Sequence, residues 1–81
     1  METPPALKAA ASDRAEITIT KREYDDEQIV AVDFGPTDGK PSLDIVDGMA
    51  IVVVNDNQFE FEVPADAADV TVNDGVLTIT G

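Results

Sequence analysis

Gln58-Phe59-Glu60-Phe61-Glu62-Val63-Pro64 is the stretch that decides the fold. Apolar and polar residues alternate without a break, which is the period of a strand with one buried face. Phe59, Phe61 and Val63 point inward, and Gln58, Glu60 and Glu62 stay in water. Each inward side chain contributes about 1.5–3 kcal/mol when it is buried. Pro64 has no N–H to give a ladder and ends the strand. A strand with so apolar a face needs a second layer to cover it.

The flanking sequence supplies that layer. Ala65 to Ala68 crosses over, Val70 and Val72 mark a short strand, Asp74-Gly75 turns, and Val76-Leu77-Thr78-Ile79-Thr80 returns. On the other side, Leu43 to Val46 and Met49 to Val54 flank Asp47-Gly48. Asp-Gly between apolar runs signals a tight hairpin, because both turn positions need a positive φ. Met49 to Val54 is apolar on both faces, as a central strand is. Asn55-Asp56-Asn57 turns the chain into the Phe strand.

Earlier still, Ile29 to Phe34 places Val30, Val32 and Phe34 on one face. Gly35-Pro36 ends it, and Asp38-Gly39 and Pro41 mark the stretch to Ser42 as a loop. Asp25-Asp26-Glu27 is a polar turn. Ile17 and Ile19 alternate with Glu16, Thr18 and Thr20, and Lys21 to Tyr24 either extends that strand or forms its own. The expected fold is all-β: an immunoglobulin-like antiparallel β-sandwich of about seven short strands over residues 16–81. Residues 1–15 read as a flexible amino-terminal arm. Its alanines between Ala6 and Ala11 would make a short helix that is marginal in water by itself, with Ser12 or Asp13 capping a turn.

Composition narrows function mainly by exclusion. Eighty-one residues make one small domain, which buries only about 60% of its unfolded surface. There is no cysteine and no histidine, so disulfides, thiolate chemistry, the commonest general base and the commonest metal ligand are all missing. Seventeen acidic residues against five basic ones give a formal net charge of -12. Such a field opposes binding to nucleic acid and to anionic membranes. The acids are spread along strands and turns, a pattern that suits a salt-rich cytoplasm where screening acts within about 3 Å. No basic-then-apolar leader and no membrane-length apolar run is present, so a cytoplasmic location is expected.

Catalytic and metal chemistry find few residues to work with. Ser12 and Ser42 have no histidine to activate them. Asp25-Asp26-Glu27 reads as a solvated turn, not an acid/base pair. Asn55-Asp56-Asn57 with Glu60 nearby lacks the spacing of a calcium loop and its bidentate glutamate. The glycines sit at turns and build no phosphate loop. The chain is therefore expected not to be an enzyme and to have no catalytic residue, cofactor or metal.

The order of these elements resembles the α-crystallin domain of small heat-shock proteins, over residues from about 22 to 81. Val30 to Phe34 with Gly35-Pro36, the hairpin Leu43 to Val54, Phe59 to Pro64, and Asn73-Asp74-Gly75-Val76-Leu77 follow one another as that family's motifs do. The chain is similar in type to short, acidic members from halophilic archaea. There are departures: glycine and proline are inverted after Phe34, Val63 replaces a leucine, and one residue is inserted before Gly75. Asn55-Asp56-Asn57 is too short for a swapped dimer strand. The sequence ends directly after its last strand, without the family's docking extension, and the arm has no aromatic residue.

The resemblance implies an apolar polypeptide-binding groove between Leu43 to Val46 and Val70 to Asn73, with Leu43, Ile45, Val70 and Val72 lining it. Ile17-Thr18-Ile19 has the spacing of the docking motif that fills such a groove by strand addition; alternatively, Ile17 and Ile19 simply begin the sandwich. The function implied is an ATP-independent, stress-related chaperone module for non-native polypeptides. The other reading is a co-chaperone-like adaptor that binds one folded protein. Partners would be proteins, not nucleic acid or membrane, with the chain a monomer or small homo-oligomer.

Overall fold

A computed structural model of the chain describes residues 2–36 and 40–81. The expected loop residues Asp38 and Gly39 lie outside these. One helix, α1 (Pro5–Asp13), precedes seven strands: β1 (Thr18–Glu23), β2 (Gln28–Asp33), β3 (Ser42–Val46), β4 (Met49–Val54), β5 (Asn57–Glu62), β6 (Asp69–Asn73) and β7 (Val76–Thr80). The protein is all-β apart from that helix. Two antiparallel sheets form, in the orders β1-β2-β7-β6 and β3-β4-β5.

The alternation read from the sequence sets which face each strand buries. Val30 and Val32 of β2, Ala50 and Val52 of β4, and Leu77 and Ile79 of β7 are wholly buried, with Phe61, Val54 and Phe34 almost so. Phe59 is half-buried, and its ring stacks on Phe34 with centroids 5.3 Å apart. Val63 also packs against this core from a half-buried position. Met49 to Val54 is indeed a central strand, paired with β3 on one side and β5 on the other.

Three hairpins close through two-residue loops: Asp47-Gly48, Asn55-Asp56 and Asp74-Gly75. In all three both loop residues have positive φ, between 50° and 80°. That is the turn whose twist matches the strands it joins. The Asn55-Asp56 loop was expected to include Asn57, which instead starts β5 opposite Val54. Asparagine and aspartate tolerate the left-handed conformation without glycine, so this turn has the right chemistry without the usual dipeptide. Lys21 to Glu23 continue β1, and Tyr24 N–H donates to Glu27 O across the following turn.

The largest difference lies before β1. The segment expected to be a free arm is folded onto the sandwich as α1. Pro5 at its first turn suits the missing N–H there, and alanine favours the interior. Neither end is helped further: no side chain caps the start, and no basic residue stands in the last turn. Ser12 and Asp13 end the helix instead of starting a turn. What holds it is Leu7, 1% exposed and part of the core cluster, with Ala10 and Ala11 packed beside it. Tertiary burial thus supplies what the short sequence does not.

Candidate polypeptide-binding edge

A two-layer sandwich has two open flanks, where the edge strands of one sheet face those of the other. Here one flank lies between β1 and β5, and the other between β3 and β6. Helix α1 packs against β5 and β1 and closes the first. On the second, β3 and β6 lie against each other, and among the described residues no helix or strand covers them.

The four groove residues named from the sequence meet on this second flank. Leu43 and Ile45 stand opposite Val52 and Ala50 in the ladder, so both are on the inner face of their sheet. Val70 and Val72 stand opposite Ile79 and Leu77, on the inner face of the other. Leu43, Val70 and Val72 are half-buried against the core. Ile45 is 47% exposed, although its partner Ala50 is fully buried. An inward-facing isoleucine that keeps half its surface in water marks a flank that is unfilled.

The backbone adds a second property. In a two-residue hairpin the residues beside the loop exchange both hydrogen bonds, and bonded and non-bonded pairs alternate from there. Val46, Asp44 and Ser42 therefore bond to β4, which turns the peptide groups of Leu43 and Ile45 outward. Asn73 and Thr71 likewise bond to β7, and the peptide groups of Val70 and Val72 face out. The Val70 N–H is met by its neighbour's carboxylate, Asp69 Oδ1, at 3.0 Å. Each edge thus offers apolar side chains together with outward-facing backbone groups, the combination strand addition uses.

Ile17 and Ile19 are placed elsewhere. Ile17 is 6% exposed and Ile19 packs against the same cluster, on the β1 side that α1 closes. Within this chain they contribute to the sandwich, across the molecule from β3 and β6.

The closed flank holds a residue that sequence reasoning passed over. Arg14, just after α1, puts its guanidinium 5.6 Å from the centre of the Phe59 ring. Its Nη2 donates to Asn57 Oδ1 at 3.2 Å, and its Nη1 lies 4.0 Å from Glu16 Oε1. A lone arginine after an alanine run carries no periodic signal, so only the fold shows what it joins. Asn55 Nδ2 donates to Pro36 O at 2.9 Å, and Asn57 Nδ2 to Asn55 O at 3.3 Å. The Nδ2 groups of both asparagines thus tie the loops together. Among the described residues, no group of three acidic side chains is placed to hold a metal ion. No described helix is long and apolar enough to cross a membrane.

Residues 1–81 match DUF7127, a family of unknown function. The chain belongs to that family. No curated protein and no solved structure matches it. The resemblance to small heat-shock proteins is therefore corrected: the family that covers the whole DUF7127 chain is a different one. The physical reason is that the quoted motifs are generic. Asp-Gly at a two-residue hairpin and large apolar residues on alternate positions recur in many compact antiparallel sandwiches.

Proposed function

We propose that this DUF7127 chain is a non-catalytic polypeptide-binding module that takes an extended segment onto the β3/β6 flank by strand addition. The observation that carries the reading is the exposure of the inward-facing Ile45 between two edges whose backbone groups point outward. The incoming strand would bond to the peptide groups of Leu43 and Ile45 and lay alternate side chains over Val70 and Val72. The acidic exterior would keep such complexes apart from one another. A cytoplasm rich in salt goes with this reading, since there the self-repulsion of -12 is screened.

An ATP-independent chaperone is the second reading, favoured by one observation. Val46 and Met49, both exposed, stand opposite each other on the outer face of the β3–β4 hairpin, adding apolar surface beyond the flank that one bound strand would cover. Amide-resolved NMR with an extended peptide of alternating valines tests the first reading. Shifts confined to Leu43, Ile45, Val70 and Val72 are expected, and shifts on β1 or β5 would overturn it. Light scattering of an unfolding protein in molar salt tests the second. Aggregation that proceeds unchanged at equimolar chain removes the chaperone.

A further inference from the structure

Only half of β4 is used by the core. Ala50, Val52 and Val54 are buried, while Met49, Ile51 and Val53 point the other way. Among the described residues, no helix or strand lies over that outer face. Val46, Met49 and Val53 share this face and are 49%, 40% and 37% exposed, three of the five large apolar side chains left in water among the described residues. Three exposed apolar side chains are therefore gathered on one face of one hairpin instead of scattered, as at an interaction site.

Its borders are charged. Ile51 stands between Asp44 on β3 and Glu60 on β5, and Met49 between Val46 and Glu62. Val53 stands between Ser42 and Gln58, whose Nε2 donates to Glu60 Oε1 at 2.8 Å. The five basic residues, Lys8, Arg14, Lys21, Arg22 and Lys40, all lie outside these three strands. An apolar stripe along β4 is thus lined by carboxylates on both sides, with no cation of its own. A second copy would set acid against acid, at -12 for each chain.

We propose that this outer face docks a basic amphipathic α-helix from a protein partner. The dimensions agree. Strands lie about 4.8 Å apart, so the acidic borders on β3 and β5 are about 10 Å from each other, close to the 10–12 Å diameter of a helix with its side chains. From Met49 to Val53 is about 13 Å of strand, which matches roughly nine helical residues with apolar anchors at i, i+4 and i+7. Lysines or arginines on the helix flanks then reach Asp44 on one side and Glu60 and Glu62 on the other. The surface uses side chains only, so it is independent of backbone pairing at β3 and β6.

Two synthetic helical peptides test it, one with leucines at those spacings flanked by lysines and one with glutamate for every lysine. Titrated against the whole chain by fluorescence anisotropy, the lysine peptide binds and the glutamate peptide does not. NMR shifts fall on Asp44, Met49, Ile51, Val53, Glu60 and Glu62 and spare Val70 and Val72. The triple variant D44N/E60Q/E62Q binds roughly tenfold more weakly with an unchanged melting curve, and added salt weakens the wild-type complex. Four results each overturn the proposal: equal binding of both peptides; no binding of the lysine peptide; shifts confined to the β3/β6 flank; and self-association through this face that Val53→Lys abolishes.

Discussion

The two flanks of the sandwich are built from the same kind of parts and end differently. Between β1 and β5, Leu7 of α1 fills the gap to 1% exposure, and Arg14 fastens the return of the chain to Phe59 and Asn57. Between β3 and β6, Ile45 faces the gap with half its surface in water. One flank is satisfied by a segment of the chain itself. The other presents apolar residues of comparable kind, and among the described residues no helix or strand lies over them. The contrast teaches that closure of a small sandwich is settled separately on each side.

Substitutions on the two flanks sharpen this comparison. Leu7→Ala should have the largest effect, costing about 2–5 kcal/mol of helix docking because it empties a sealed position. Hydrogen exchange should then show α1 amides losing protection while β2 and β7 keep theirs; equal loss throughout would mean that α1 and the sheets unfold as one unit. Arg14→Ala should cost less, about 1–2 kcal/mol in urea unfolding, for a cation–π contact and a hydrogen bond at a part-exposed site. On the open flank, Ile45→Ala should change stability by about 1 kcal/mol or less, yet weaken capture of an extended peptide. A stability loss as large as that of Leu7→Ala would show the flank to be closed.

Much of the fold was legible because its signals are local. The alternation through Phe59 and Phe61 and the dipeptides Asp47-Gly48 and Asp74-Gly75 each reveal their structure within a few residues. Asn55-Asp56 makes the same turn without glycine, and so its loop reads one residue too long. The docking of the short helix is not legible for a deeper reason. An alanine run with one leucine has no apolar stripe, and Leu7 becomes decisive only when a pocket at β1 and β5 exists to receive it. The candidate site was readable as residues but not as an open flank. Which edges remain uncovered depends on the sheet orders β1-β2-β7-β6 and β3-β4-β5, a property of topology that no sequence window contains. Family membership failed for the converse reason: local motifs shared by many sandwiches were read as the mark of one.

The place of β7 governs how the molecule can assemble. It is made after the other six strands, yet it lies inside its sheet, between β2 and β6. The meander β3-β4-β5 needs only neighbours and can zip through its tight loops while synthesis continues. Pairing Ile29 with Thr80 instead joins distant points of the chain, a slow closure. Until the ribosome releases β7, the β1–β2 hairpin waits with one edge bare, and that interval is when a nascent chain is most exposed to the wrong neighbour.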